Sequence, residues 1–448
     1  MSPTKVLILN QPFVSDTGGG ITMSNLFSGW ESDNLAVACS GYLLTDDIDP
    51  QKCNNYYQLG REERKWIFPL NLVSRKYPSG EIKFTNKTKE RVVKNSSKSK
   101  SRTTFVQRFV EPLFDYLGFT HFMDKTILSP KFKQWMDDFD PDVIYAQCSS
   151  RDTILFCIAV QEYLGKPMAY HMMDDWPALF GRKGFMKKYW ENKVDKEFRI
   201  LLNRSHLLMA ICDYMGEEYL RRYGKEFATY HNPIEIDFWR KGQRTNYDID
   251  KSPTILYAGR IGLGIDNSLK TIAKAVDKVN NELDMSIEFA IQANEAPSWI
   301  ESFSCTKYQH FVDYDELPMV FGGADFMILP YDFDPKGLTF IKYSMPTKAS
   351  EYMVSGTPVI VFAPNDTALV QYAKNHDWAA IVTENDTDLL AETIKNLMKS
   401  KSLREQLARS AKKLAENRHS KDLVSEDFQH KLLQLADKDI YNPENTLG

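Results

Sequence analysis

The sequence has no long apolar run, no Cys-x-x-Cys pair and no excess of basic charge. A membrane-spanning helix needs about 18 consecutive apolar residues, and the short run Val6–Leu9 is too brief for the core of a signal peptide. The six cysteines lie far apart, which favours buried thiols in a reducing compartment over disulfides or a zinc site. The net charge of -4 argues against a nucleic-acid-binding protein, because phosphate contacts need a basic surface. We therefore expect a cytoplasmic protein without a nucleic-acid partner.

Two segments of the chain begin in the same way, with a short apolar run followed by a glycine turn and a helical pattern. The first begins at Val6 and the second at Ile255. This order is typical of the start of a doubly wound α/β domain, and alternating strands and helices after it predict a parallel sheet. The 448 residues would allow two or three domains. The two similar openings favour an α/β protein with two tandem Rossmann-like domains.

The first opening carries three consecutive glycines, Gly18, Gly19 and Gly20. A glycine-rich loop before a helix lets backbone N–H groups approach an anion. The spacing matches neither G-x-G-x-x-G nor a phosphate-binding P-loop, so the alternative is a tight turn that needs positive φ. Both interpretations remain open at the level of the sequence.

The segment that follows Lys336 carries the strongest pattern. Pro346 suits the first turn of a helix over 347–354 that ends at Gly356. Lys348 and Glu351 lie three residues apart on one face of that helix. Free amides and a lysine could bind a nucleotide diphosphate, with the glutamate on ribose hydroxyls. The same spacing also describes a simple surface ion pair.

Residues 346–361, PTKASEYMVSGTPVIV, resemble the donor-sugar motif of glycosyltransferase family 4, which has the GT-B architecture. Residues 254–260, TILYAGR, are similar to the first strand and "GR" of that family's C-terminal domain. Residues 230–238 resemble its interdomain signature, and residues 312–330 resemble its "ELP…ADF…LP" stretch. The resemblance covers the C-terminal half and the ends of the N-terminal half, and leaves out about 43–140.

The resemblance implies two Rossmann-like domains that face a cleft. The first, 1–235, would bind the acceptor, the second, 236–424, would bind the nucleotide-sugar, and a helix at about 425–448 would return to the first. It also implies a retaining transfer from a UDP- or GDP-linked sugar to a glycan or lipid-linked acceptor, in surface polysaccharide synthesis. No metal or other cofactor is expected.

Individual roles follow from the same resemblance. Glu351 matches the glutamate that binds the donor ribose, and Arg260 matches the arginine that contacts the pyrophosphate. Phe311 and Val312 fall where backbone groups meet the nucleobase. The full set of expected donor-binding residues is Gly18, Gly19, Gly20, Arg260, Phe311, Val312, Lys336, Thr347, Lys348 and Glu351.

Three positions depart from the family pattern. Tyr343 stands where the first glutamate of the family's pair is expected, eight residues before Glu351. Residues 261–264 lack the usual lysine after Arg260, and Pro233 replaces a glycine in the interdomain signature. We expect Lys348 and Lys336 to supply the missing cation.

In the first half, His171, Asp174 and Asp175 are the predicted catalytic residues. They follow a predicted strand, and ligands bind open α/β sheets at the carboxyl ends of the strands. His171 also resembles a family histidine near the transferred sugar. The aspartates could bind acceptor hydroxyls or act as a base. The alternative is a helix N-cap beside a surface acid.

Two Asp-x-Asp pairs do not predict a metal site. Asp138 and Asp140 are interpreted as a loop before a strand. Asp332 and Asp334 lie next to the donor motif, where they could contact sugar hydroxyls.

Nine lysines and arginines lie between Lys83 and Arg108, interrupted by the single acid Glu90. An apolar helical pattern follows at once. A basic run beside an apolar face could rest on an anionic membrane, at the inner face of the plasma membrane. The alternative is a solvated loop that leads into a core helix.

Two other functions remain open. A nucleotide-sugar epimerase could have the same two-domain plan without an acceptor. A non-catalytic nucleotide-sugar-binding protein would be compatible with the missing glutamate and lysine.

Overall fold

The computed structural model describes residues 4–14, 18–44, 48–66, 77–83, 116, 118, 124–179, 184–262 and 264–437. The chain forms two compact units. The first unit contains Met1–Ile211, Gly216–Tyr230 and Ser425–Gly448, and the second contains Cys212–Met215 and His231–Val424. Residues 212–215 and 231–235, which we expected in the N-terminal domain, thus belong to the second unit.

The first unit is built on a mainly parallel sheet. Its strands are β1 (Val6–Leu9), β2 (Leu35–Ser40), β3 (Asn55–Leu59), β4 (Arg64–Trp66), β5 (Gly80–Lys83), β6 (Asp124–Thr126), β7 (Val143–Ala146), β8 (Met168–Met172), β9 (Leu207–Ala210) and β10 (Ala228–Thr229). The eight-stranded sheet has the order β10-β9-β8-β7-β1-β2-β3-β5. Only the pair β3 and β5 is antiparallel in that sheet, and β4 pairs separately with β6.

Helices connect these strands. Ser129 caps the helix Pro130–Phe139, and Ser150 and Thr153 form a capping box on the helix Arg151–Leu164. In the part of the chain that the structure describes, the other helices with residues in the first unit are Gly18–Leu26, Lys187–Arg204, Asp213–Tyr223 and Lys421–Ala436.

The second unit has a six-stranded, fully parallel sheet. Its strands are β11 (Thr254–Ala258), β12 (Glu288–Ala293), β13 (Thr306–His310), β14 (Phe326–Pro330), β15 (Val359–Phe362) and β16 (Ala379–Val382), in the order β13-β12-β11-β14-β15-β16. Its remaining helices are Ile236–Arg240, Asp266–Leu283, Leu317–Gly323, Pro335–Ile341, Lys348–Ser355, Ala368–His376, Thr387–Lys399 and Lys401–Arg418.

Burial explains why continuous apolar runs became strands. Strands such as β1, β7 and β15 are buried along their whole length, as expected when helices cover both faces of a parallel sheet. The predicted α/β fold with parallel sheets is therefore confirmed. No described helix is long and apolar enough to cross a membrane.

The helix Lys421–Ala436 ends against the first unit. Ser425 Oγ donates to the carbonyl of Asn25 at 2.7 Å, and Gln429 donates to the carbonyl of Ser28 at 2.7 Å. The buried ring of Phe428 meets the ring of Tyr145 edge-on. Polar and aromatic contacts thus fix the second half of this helix on the unit where the chain begins.

Candidate functional site

The helix Lys348–Ser355 lies beside the end of strand β11. It ends at Gly356, whose φ of 73° is the left-handed conformation that glycine adopts without strain. The buried hydroxyl of Tyr352 accepts from Ala258 N at 2.9 Å and donates to Ala258 O at 3.2 Å. These bonds hold the helix next to the turn that carries Arg260. The sequence pattern did not identify Tyr352, because its partner is 94 residues away.

Glu351 is a buried carboxylate on the first turn of this helix, 6% exposed. Burial raises its pKa to about 7, although the nearby charge of Lys348 acts in the opposite direction. Within the described part of the chain, its carboxylate has no hydrogen-bond donor. Buried polar groups are nearly always hydrogen-bonded, so a partner from outside the chain would fit here.

Lys348 lies on the same turn and is largely buried. Burial lowers its pKa, with Glu351 opposing that effect. Its Nζ lies 5.4 Å from the centre of the Phe311 ring, within range of a cation–π contact. Phe311 follows strand β13 and is 36% exposed, with Val312 next to it. Lys348 therefore joins the helix to the loop after β13.

Tyr314 follows strand β13 and is a residue that the sequence pattern did not single out. Desolvation, followed by the charge of Glu351, raises the pKa of its phenol, although the side chain as a whole is 49% exposed. Its ring stacks on Phe238 with centroids 5.0 Å apart and planes at 6°. Its position three residues after Phe311 is the only signal the sequence offered.

Arg260 is exposed and follows Gly259 directly after strand β11. Its carbonyl accepts from Tyr257 Oη at 2.6 Å, which fixes the backbone and leaves the side chain outside this contact. No carboxylate of the described residues lies within 4.0 Å of its guanidinium. The second unit thus presents an unpaired cation beside the helix that carries Glu351.

The glycines after Arg260 allow two loops to touch. Gly262 and Gly264 have φ of 138° and 89°. A Cβ on Gly337 would lie 2.9 Å from the Cα of Gly264, so only glycine fits there. The loop that lacks the expected lysine is instead packed against the helix Pro335–Ile341. The side chain of Lys336 on that helix lies outside the described residues.

Asp332 has a structural role. Its Oδ1 accepts from Ser268 N at 2.7 Å, and its own N donates to the carbonyl of Gly264 at 2.7 Å. It is 4% exposed and satisfies the first turn of the helix Asp266–Leu283. This capping role lends no support to a contact of Asp332 with sugar hydroxyls, which stays a prediction for the pair Asp332 and Asp334.

The other Asp-x-Asp pair lies at a helix end. Asp138 belongs to the helix Pro130–Phe139, not to a loop, and accepts from Gln134 at 2.7 Å. Asp140 caps that helix with a φ of 45° and pairs with Lys166 at 3.1 Å. In the described ranges, no three His, Cys, Asp or Glu side chains are grouped to hold a metal ion.

Thr347 and Tyr343 lie just before the helix Lys348–Ser355. The carbonyl of Thr347 accepts from Ser350 Oγ at 3.0 Å, and its side chain makes no capping bond. Tyr343 stacks on Tyr214 with ring centroids 5.4 Å apart, and Cys212 Sγ donates to its carbonyl at 3.1 Å. An aromatic pair thus occupies the position where the family pattern has a carboxylate.

Gly18, Gly19 and Gly20 form the first turn of the helix Gly18–Leu26, not a loop, and none has positive φ. A Cβ on Gly20 would lie 2.3 Å from the carbonyl oxygen of Val14. Close packing, and not a tight turn, therefore requires glycine at position 20. Gly18 is exposed at the helix start.

His171 lies inside strand β8 and is 1% exposed. Its Nδ1 lies 2.7 Å from Tyr145 Oη, which also accepts from Gln147 at 3.0 Å. Burial lowers the pKa of His171 to about 3, so the ring is neutral at physiological pH. The environment is that of a core histidine, and its predicted catalytic role gains no support from it.

Asp175 is paired inside the first unit, at 1% exposure. Tyr219 Oη donates to it at 2.7 Å, and Arg222 donates through both Nη atoms at 2.9 and 3.1 Å. Burial by itself would lower the pKa of the Arg222 guanidinium. The hydrogen bonds and negative charge of Asp175 outweigh that effect, so this pKa is raised. These three bonds give Asp175 a structural role in the first unit, and its predicted catalytic role gains no support from them. Asp174 is half-buried, and its carbonyl accepts from Trp176 N.

Comparison with known proteins finds a family domain within the second unit. Residues 252–400 match the family model described as "Glycosyl transferases group 1". No curated protein matches the chain.

Three solved structures are similar over the chain. A glycosyltransferase from Rickettsia africae has a TM-score of 0.58 at 12% identity, covering 96% of this chain and 98% of that one. A sucrose-phosphate synthase from Thermosynechococcus elongatus has 0.57 at 12%, covering 96% and 99%. The Anabaena protein HepE in complex with UDP has 0.56 at 13%, covering 96% and 100%. The predicted GT-B fold is confirmed, and the chain is a glycosyltransferase with a group 1 domain at residues 252–400.

Proposed function

We propose that the second unit binds a UDP- or GDP-linked sugar and that the first unit binds a glycan or lipid-linked acceptor. The transfer would retain the anomeric configuration, as the family 4 resemblance implies, and would serve surface polysaccharide synthesis. The similar Anabaena protein HepE is described in complex with UDP-glucose, which favours UDP as the donor nucleotide. The main observation is the buried, unpaired carboxylate of Glu351 beside Lys348.

The proposed donor contacts use groups that lack partners within the described chain. Ribose hydroxyls would donate to Glu351 and offset the cost of burying its charge. Arg260 and Lys348 would bind the diphosphate, with the first amides of the helix Lys348–Ser355. The backbone at Phe311 and Val312 would contact the nucleobase. Lys336 and Thr347 stay predicted donor contacts.

The same groups suit the chemistry of transfer. When the bond between the sugar and the diphosphate breaks, negative charge builds on the leaving diphosphate. Cations and helix-end amides already positioned on it stabilise that charge in the transition state. In this scheme Arg260 and Lys348 contribute more to the transition state than to the bound donor.

Roles in the first unit remain predictions. Gly18, Gly19 and Gly20 are proposed phosphate contacts, and Asp174 is the remaining acidic candidate for an acceptor hydroxyl. The proposed contact of the basic segment 83–108 with an anionic membrane stays a prediction, because residues 84–108 lie outside the described residues.

A thermal-shift screen of UDP- and GDP-sugars tests the donor site, because a ligand of the folded state raises the melting temperature. We expect stabilisation of the wild type that is largely lost in Arg260→Gln and Lys348→Gln. Arg240→Gln is the matched control, since Arg240 lies in the same unit and is exposed. Stabilisation of Arg260→Gln equal to that of the control would contradict the assignment.

Product analysis separates transfer from epimerisation. With acceptor present, transfer yields a glycosylated acceptor and free nucleoside diphosphate. Conversion of the donor sugar without acceptor would favour the epimerase instead.

A further inference from the structure

The first unit exposes aromatic rings beside lysines at the start of the helix Lys187–Arg204. Phe185 is 89% exposed, the largest value for a bulky apolar side chain among the described residues. Tyr116 is 58% exposed and Tyr189 is 49% exposed. Lys187 and Lys188 lie between the two aromatic positions of the helix start. We call these five residues the aromatic–basic patch.

The two backbone segments that carry the patch are in direct contact. Phe185 N donates to the carbonyl of Tyr116 at 3.0 Å. A Cβ on Gly184, whose φ is 101°, would lie 2.1 Å from that same oxygen, so the two segments touch through their backbones. The ring of Tyr189 meets the buried ring of Trp190 edge-on at 5.1 Å. The exposed rings therefore project from a packed support.

The charge of the patch is positive. Lys187 pairs with Glu191 at 3.8 Å, with half of the lysine side chain exposed. Lys188 is exposed and has no carboxylate of the described residues within 4.0 Å. A paired and an unpaired lysine beside Glu191 leave one net positive charge next to three exposed rings.

We propose that the aromatic–basic patch docks on the surface of an anionic lipid bilayer. Phenol and phenyl rings favour the headgroup region, where the ring is buried and the hydroxyl stays hydrated. Lysines next to them are attracted to anionic headgroups and extend toward water along their alkyl stems. A fluid interface accepts isolated projecting rings without a complementary pocket. The opposite charge of the headgroups and the exposure of Phe185 together favour lipid over an apolar protein partner.

This surface deepens the proposed membrane contact of the first unit and rests on the proposed function for its lipid-linked acceptor. It uses none of the donor-site residues and is separate from the basic segment at 83–108. Docking would keep the first unit, the proposed acceptor unit, at the membrane where a lipid-linked acceptor resides.

Co-sedimentation of the full chain with vesicles tests the proposal. We expect binding to vesicles of equal parts phosphatidylcholine and phosphatidylserine, which weakens with added salt, and little binding to phosphatidylcholine alone. Phe185→Ser should weaken binding about tenfold, and Lys188→Glu about fivefold. Leu433→Ser and Lys413→Glu are matched controls on other helices, since both side chains are exposed.

A local readout separates the patch from general electrostatic attraction. A bimane label at Asn192→Cys, one turn along the exposed face, should shift to the blue when anionic vesicles are added. The same label at Leu433→Cys should not shift. Equal vesicle binding by Phe185→Ser and Leu433→Ser, or an unchanged label at 192, would overturn the proposal. Glu351→Gln should bind vesicles like the wild type, so failure of this test leaves the donor-site proposal intact.

Discussion

Each unit buries a carboxylate that the sequence predicted as a catalytic or donor-binding residue, Asp175 in the first and Glu351 in the second, and the two have opposite surroundings. Asp175 in the first unit is 1% exposed, and Glu351 in the second is 6% exposed. Asp175 accepts three hydrogen bonds from Tyr219 and Arg222. Glu351 accepts none from the described residues and has only the nearby charge of Lys348. Burial alone therefore does not identify a site, and it is the lack of an internal hydrogen-bond donor that makes Glu351 a candidate for ligand binding.

The energetic consequences also differ. The pair of Asp175 and Arg222 is completed within the fold, so removing either partner would leave the other buried without compensation. Burial raises the pKa of Glu351 to about 7, which means that its charge is maintained at a cost in stability. Such unfavourable pKa shifts cluster at functional sites, because a ligand supplies the missing partners.

Glu351→Gln is expected to have the largest effect on activity. Glutamine keeps the shape but loses the negative charge that ribose hydroxyls would contact. We expect kcat/KM for transfer to fall on the order of 100- to 1,000-fold, about 3–4 kcal/mol of transition-state stabilisation. The melting temperature should not fall, since a costly buried charge is removed.

The control for this variant is Glu392→Gln in the same unit. Glu392 is 56% exposed and pairs with Lys395 on the surface. Its replacement should change kcat/KM less than about twofold. If Glu351→Gln stayed within that range, Glu351 would not be a donor contact.

Asp175→Ala tests the other side of the comparison and should act on stability. The change leaves the hydroxyl of Tyr219 and part of the Arg222 guanidinium buried without partners, although Glu218 still binds Arg222 at 2.6 Å. We expect a loss of about 3 kcal/mol in the free energy of unfolding, measured by urea denaturation. Asp195→Ala, which breaks an exposed pair with Arg199, should cost less than about 1 kcal/mol. A stable but inactive Asp175→Ala protein would restore Asp175 as a catalytic candidate.

The fold was largely predictable because many buried strands, such as β1, β7 and β15, are continuous apolar runs. The openings predicted at Val6 and Ile255 are observed as strands β1 and β11. The prediction of a loop at Gly18, Gly19 and Gly20 was wrong, because these residues form the first turn of a helix. Glycine has a poor helix propensity, yet position 20 requires it, since a Cβ there would collide with the carbonyl oxygen of Val14.

The site was predictable only where its residues are close in sequence. The spacing of Lys348 and Glu351 puts both on one helical turn. The partner of Asp175 is 47 residues away at Arg222, and that of Tyr352 is 94 residues away at Ala258. Such pairs are created by packing, so a single sequence could not distinguish the satisfied carboxylate from the unsatisfied one.

The pH dependence of stability gives the finest test of the comparison. Because the folded protein holds the proton of Glu351 more tightly than the unfolded chain, ionisation of this group destabilises the fold as pH rises from about 4.5 to about 7. Below that window the protonated carboxyl contributes its full stability to the fold, and above it roughly 3 kcal/mol of that stability is lost. Glu351→Gln lacks this loss, so the difference in unfolding free energy between wild type and variant should change across this window. Urea denaturation at several pH values measures it. A difference that is constant from about pH 4 to pH 8 would mean that Glu351 is already satisfied in the free protein, as Asp175 is.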